Sequence, residues 1–207
     1  MRNTVVIAKR GNLYSQAMDK SQFQPSRPGA PECGDFDIRI TPDGVWHYRG
    51  SPIGRMALVR LFASVLKRDD SGDYWLETPA ERGRIQVDDA PFVAVELSVE
   101  GAGRGQRLMF RTNLDDMVTA DRWHPIELRY SPCSPNRDDG RPYIHLRDGI
   151  EALIARPVYY ALVELAEEQL VNDHLEPGVW SAGMFFSLIP KLTDGLRQTE
   201  LPGSELP

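Results

Sequence analysis

The chain is short of the features from which a reaction is usually read. Its two cysteines, Cys33 and Cys133, stand 100 positions apart beside prolines, which is no disulfide framework and fits free thiols in a reducing cytoplasm. No apolar run approaches the roughly 18 residues that cross a bilayer. The first ten residues hold only Val5-Val6-Ile7-Ala8 between charges, so neither a membrane span nor a signal peptide is expected. The four histidines, His47, His124, His145 and His174, never fall at metal-ligand spacings, and neither cysteine has a cysteine or histidine neighbour; no metal site is expected. Serine-hydrolase elbow, Walker loop and dinucleotide fingerprint are all missing, since Gly101-Ala102-Gly103-Arg104-Gly105 has glycines but joins two expected strands. No cofactor is implied.

What is present is an ordinary globular composition: 207 residues, 41% hydrophobic and 26% charged, enough for a real core. The net charge is −6. Residues 1–34 run against it, with Arg2, Lys9, Arg10, Lys20 and Arg27 against Asp19 and Glu32, so that +3 lies there and −9 in the rest. A net-negative folded region repels phosphate backbones, and nucleic acid is not expected as a main partner. The arm reads as a flexible solvated tail.

Alternation begins at Phe36-Asp37-Ile38-Arg39-Ile40 and returns at Val45-Trp46-His47-Tyr48-Arg49, with Pro42-Asp43-Gly44 as a hairpin turn between them. Ser51 and Pro52 then read as the N-cap and first residue of a largely buried helix carrying Ile53, Met56, Ala57, Leu58, Val59, Leu61, Phe62, Val65 and Leu66. Strands are expected at 74–76, 84–87, 92–99, 108–112, 126–130 and 143–147, with 131–142 as a surface loop. A second helical stretch is expected over 150–170, broken before Pro157, and further strand over 178–188. The resulting fold class is α+β: two tandem sheet-plus-helix, roll-like units at 35–88 and 89–190, between the arm at 1–34 and a flexible tail at 191–207.

A shift of 101 positions lays Ile53 on Ile154, Arg55 on Arg156 and Leu61 on Leu162, and the aromatic strands around Trp46 and Tyr74-Trp75 match those around Tyr143 and Trp180. That order predicts a duplicated motif.

The string Cys33-Gly-Asp-Phe-Asp-Ile-Arg-Ile, with Asp43-Gly-Val-Trp-His-Tyr-Arg-Gly-Ser-Pro-Ile-Gly-Arg55 and Leu58-Val-Arg-Leu-Phe62, resembles an uncharacterised bacterial family, domain of unknown function 1285. Asp88-Asp-Ala-Pro-Phe-Val-Ala-Val95, Phe110-Arg-Thr-Asn-Leu-Asp-Asp116, Gly149-Ile-Glu-Ala-Leu-Ile-Ala-Arg156 and Gly178-Val-Trp-Ser-Ala-Gly183 support the likeness, which covers about residues 31–190. It implies two repeated sheet-and-helix units, a tendency to assemble and a link to signalling or regulation. It supplies no catalytic residue to carry over.

The candidate ligand-binding residues are Arg49, Ser51, Gly54 and Arg55, placed at an expected helix start where backbone N–H groups favour a small anion such as phosphate or carboxylate. The competing reading has Ser51 only capping the helix and the arginines paired with Asp35, Asp37 or Asp43. Asp88-Asp89 and Asp115-Asp116 could be acid and base or metal ligands, but neighbours on a strand face opposite ways, so turn roles fit better. His47 and His145 occupy matching places in aromatic strands. The aromatic set Trp46, Tyr48, Tyr74, Trp75, Tyr159, Tyr160, Trp180, Phe185 and Phe186 fits core filling better than a cavity wall. The expectation is a cytoplasmic, non-catalytic regulatory or binding module, linked to signal transduction and associating with itself or another protein. The alternatives are a small-molecule or anion sensor, or an enzyme with an unrecognised site.

Overall fold

The computed structural model describes residues 31–130 and 140–190. The expected arm up to residue 30, the tail from 191 and loop positions 131–139 with Cys133 lie outside the described residues.

The first unit runs β1 (Glu32–Ile40), β2 (Trp46–Tyr48), β3 (Ser51–Pro52), α1 (Met56–Ser64), β4 (Leu66–Arg68), β5 (Tyr74–Glu77) and β6 (Arg82–Val87). The second runs β7 (Phe92–Glu100), β8 (Arg107–Thr112), β9 (Met117–Thr119), β10 (Ile126–Tyr130), β11 (Gly140–Arg147), β12 (Ile150–Ile154), α2 (Arg156–Val163), β13 (Glu167–Val171), β14 (His174–Ser181) and β15 (Met184–Ser187). Two six-stranded sheets have orders β3-β2-β1-β6-β5-β4 and β10-β11-β12-β7-β8-β9, and β13-β14-β15 forms a third. Each six-stranded sheet consists of two antiparallel meanders joined at the centre by one parallel pair, β1 with β6 and β12 with β7.

The expected duplication is visible in the element order. A three-strand meander, a helix and a second three-strand meander occur as β1 to β6 and again as β10 to β15. The second meanders start at 66, 74 and 82 in one copy and at 167, 174 and 184 in the other. What differs is the partner of the first meander: β1 joins β6 of its own copy, whereas β12 joins β7 and leaves β13 to β15 as a separate sheet.

Two helix expectations are corrected by turn chemistry. Arg49 and Gly50 have φ of 50° and 79°, and Tyr48 pairs with Ser51 across them. This is a two-residue hairpin of the kind whose twist matches its strands. Ser51 and Pro52 are therefore a short edge strand, where a missing N–H costs nothing, and α1 starts at Met56 with Arg55 at its cap position. The helix is also less buried than its apolar count suggests: Val59 and Ala63 are covered, while Met56 and Leu61 are about half exposed. In the second unit Asp148 and Gly149 repeat the hairpin with φ of 40° and 74°. They turn 150–154 into β12, so only Arg156–Val163 is helical, with Pro157 in the first turn; the end of the expected helix becomes β13. Gly140, Arg141 and Pro142, expected in a loop, belong to β11.

One apolar core runs through both units, from Trp46, Val59 and Leu76 to Phe92, Phe110, Ile150 and Leu162. The seam between them is closed by directed bonds. Asn113 Nδ2 donates to the Gly44 carbonyl at 3.1 Å while its Oδ1 accepts from Val93 N–H at 3.1 Å, and Arg147 Nη2 donates to the Ala63 carbonyl at 2.6 Å.

Gly44 has φ of +78°, and a Cβ there would stand 2.5 Å from Asn113 Nδ2 and 3.0 Å from Val93 Cγ2. Gly101 has φ of +79° but meets nothing closer than 3.6 Å. Gly101→Ala should lose only the left-handed backbone cost, about 1 kcal/mol. Gly44→Ala should lose that and the Asn113 bonds, about 2–3 kcal/mol in all. Equal losses in urea unfolding would contradict this account of the seam.

Candidate functional site

In the order β3-β2-β1-β6-β5-β4 the strands on either side of α1 lie at opposite sheet edges. The chain must cross five strand spacings, about 24 Å along the sheet at roughly 4.8 Å each. Nine helical residues extend only about 14 Å. The helix therefore leaves part of the sheet face uncovered, and a groove of about 710 Å³ opens between α1, β3 and β1. That volume is in the range of small-molecule sites.

All four sequence candidates, Arg49, Ser51, Gly54 and Arg55, line this groove. They do not arrive there in the way expected, because Ser51 lies on β3, ahead of the helix, and does not cap it. No side chain caps α1 and its first turn carries no acid. The floor is apolar, made by Ile38, Ile53, Leu58, Phe62, Val65 and Leu76.

The β1 wall of the groove carries an irregularity that alternation alone does not announce. Asp35 pairs with Arg84 and Arg39 with Gln86, so β1 advances four residues while β6 advances two. The two extra residues bulge out of the ladder. Phe36, in this stretch, lays its ring over Gly83, where a Cβ would collide with it. A glycine on β6 thus seats a floor residue of the groove.

Of the charges around the groove, most are already spent. Arg49 Nε is 3.5 Å from Asp37 Oδ2, with its guanidinium 5.1 Å from the Tyr48 ring centre. This is one of the pairings the competing reading anticipated. Arg84 Nε donates to Asp35 at 2.8 Å, and that hydrogen bond, with the Arg84 charge, holds the Asp35 carboxyl below its usual range. Among the described residues Arg55 has no carboxylate partner within ion-pair distance.

A second polar cluster lies where the two units meet. Tyr143 Oη donates to Asp89 Oδ1 at 2.7 Å. Arg141 Nη2 stands 2.8 Å from Asp89 Oδ2, off the hydrogen-bond direction. Arg129 grips the buried Glu151 with two bonds of 2.8 and 2.5 Å. Burial, then the Asp89 bond and charge, pushes the Tyr143 phenol far up, and burial also raises Tyr74. Asp89 stands out in the sequence as half of an acidic pair, but its partners do not, because Tyr143 is 54 positions away and only the sheet register brings it close.

The remaining candidates separate. Asp88 accepts from Arg39 at 2.8–3.1 Å while Asp89 faces Arg141, so the two carboxylates never act together. Asp115 sits in a turn at φ of 67° and pairs with Arg60 and Arg111. His145 is held at both nitrogens, Nδ1 by the Trp123 carbonyl at 3.1 Å and Nε2 by the Gly149 N–H at 3.3 Å, whereas His47 stands opposite Arg39 on β1. Trp46, Tyr74 and Phe186 are core residues, while Tyr48 and Tyr160 are exposed. Among the described residues no three His, Cys, Asp or Glu side chains gather to hold a metal, and no helix is long and apolar enough to cross a membrane.

Residues 25–90 match the family description "Domain of unknown function (DUF1285), N-terminal domain", and residues 91–188 match "Protein of unknown function (DUF1285), C-terminal domain". A crystal structure of a DUF1285 family protein from Silicibacter pomeroyi DSS-3 is similar at 44% identity and a TM-score of 0.70, over 78% of this chain and 84% of that one. A DUF1285 family protein from Shewanella baltica OS155 is similar at 28% identity and a TM-score of 0.49, over 62% of this chain and 91% of that one. No curated protein matches the chain.

The raised tyrosines set an alkaline limit on stability. Their phenols stay protonated in the fold above the usual value of 10.0, whereas unfolded phenols ionise there, so the native state holds more protons. This contribution is complete below pH 10 and is lost as pH rises beyond it. Urea midpoints should fall above pH 10, and less steeply in Tyr143→Phe, which at neutral pH loses about 1–2 kcal/mol with the Asp89 bond. Equal alkaline slopes in the two proteins would contradict the assignment.

Proposed function

Because the chain belongs to the DUF1285 family, whose descriptions name no activity, we propose that it is a non-catalytic binding module that takes a small ligand into the groove under α1. The observation that carries this is the meeting of Arg49, Ser51, Gly54 and Arg55 on an apolar-floored groove of about 710 Å³. Polar groups at one rim and apolar side chains beneath are the usual make-up of a small-molecule site. The reading favours a regulatory role in the cytoplasm, with a link to signal transduction, over turnover. In the seam cluster Tyr143 is held protonated and Asp89 is engaged by Tyr143 and Arg141, which suits a structural clamp better than proton transfer.

Association with a second copy or another protein belongs to the same proposal. β13 is an edge strand, and Leu170 on it faces Leu175 across the β13–β14 hairpin, both about 60% exposed. Such an edge invites further pairing.

Nile red, a neutral apolar dye, tests the groove without reference to charge. It should bind the full-length protein, and Gly54→Trp should weaken binding at least fivefold without shifting the melting temperature, since a Cβ at Gly54 meets nothing within 4 Å. Absence of binding, or equal binding by the variant, would remove the groove as the ligand site.

A further inference from the structure

Resting on the groove as the ligand site, we infer that its ligand is a free amphipathic monoanion, an acyl or aryl chain ending in a single carboxylate or comparable acid, bound head-first at Arg55. The charge count points to one negative charge. Asp35 is answered by Arg84 and Asp37 by Arg49, and Glu81 is already engaged, which leaves Arg55 as the lining cation with no carboxylate partner among the described residues. A dianion would bring a charge with nothing to meet it, and a cation would face Arg55 directly.

The polar donors have the same bias. Thr78 Oγ1 is spent on its own turn, donating to the Glu81 carbonyl and accepting from the Ala80 and Glu81 N–H groups. Ser51 has no side-chain partner among the described residues, and it stands on β3, which leads into Arg55. One free hydroxyl and one free guanidinium at the same end suit a single acid group.

The body of the ligand is fixed by helix geometry. Arg55, Leu58, Phe62 and Val65 all line the groove at spacings of three, four and three, which is one helix face. The cation thus begins a stripe of about 15 Å along α1 and its C-terminal cap, which is pure hydrocarbon for roughly the last 10 Å. Ile38 and Leu76 face that stripe from the sheet. A polar head with an apolar tail fits this sequence of chemistry, and a sugar or a compact inorganic anion does not.

Decanoate and decylammonium, well below their micelle concentrations, and decan-1-ol, below its solubility limit, share one tail and differ in head charge. Titrated into the full-length protein by calorimetry, decanoate should bind at least tenfold tighter than decanol, and decylammonium most weakly. Arg55→Gln, an exposed change with no described partner to orphan, should abolish the preference while leaving decanol affinity within twofold. If decanol equals decanoate, or Arg55→Gln keeps the preference, the monoanion inference is overturned while the groove survives. If none of the three binds and Nile red is also refused, the groove reading falls with it.

Discussion

The parallel pairing of β1 with β6 is the constraint on which the first unit depends. By joining the first and last strands at the sheet centre, it sends β3 and β4 to opposite edges. The connection between them can run neither as a tight turn nor along the sheet edge; it must cross a face, as parallel pairings in general require. Helix α1 makes that crossing and is too short to cover what it crosses. The groove is a consequence of topology, with a floor shared between Ile38 and Leu76 of the strands and Leu58 and Phe62 of the helix.

The second unit repeats the elements and resolves the same problem differently. There β12 pairs with β7, so the meander β13-β14-β15 is free of the sheet and α2 contributes Val158 and Leu162 to the common core. One copy of a duplicated motif keeps an open groove while the other extends a sheet. The seam between them is secured by Asn113, Arg147 and the Asp89–Tyr143 cluster, whose directional bonds set how the units meet while apolar contact beneath supplies the larger share of stability.

Strands long enough to show alternation were legible in the sequence: 36–40, 84–87, 92–99, 108–112 and 126–130 all fall in β-structure, and Pro42-Asp43-Gly44 turns as its residues require. The two-residue β3 and three-residue β4 and β9 are too short for a period to emerge. Ser51-Pro52 imitates a helix start because cap and edge-strand positions favour the same residues, and only the left-handed pair Arg49-Gly50 separates them. Segment 150–154 reads as helix or strand alike until Asp148-Gly149 is recognised as a hairpin. The four candidate site residues were found through an expected helix end that lies four residues further on; they share a groove because β3 and the cap of α1 are consecutive in the chain. The β1 bulge, the Phe36 ring over Gly83 and the Asp89–Tyr143 bond depend on register between distant strands, which composition and local pattern do not encode.

The most direct test of the central claim, that the space under α1 is the ligand site, is photoaffinity mapping with an alkyl-diazirine carboxylate on the full-length protein, read by peptide mass spectrometry. The account predicts label concentrated on peptides containing 36–38 and 53–65, suppressed by excess unmodified carboxylate. Label spread over the seam around Tyr143 or over the β13–β14 hairpin, with 53–65 clear, would contradict it.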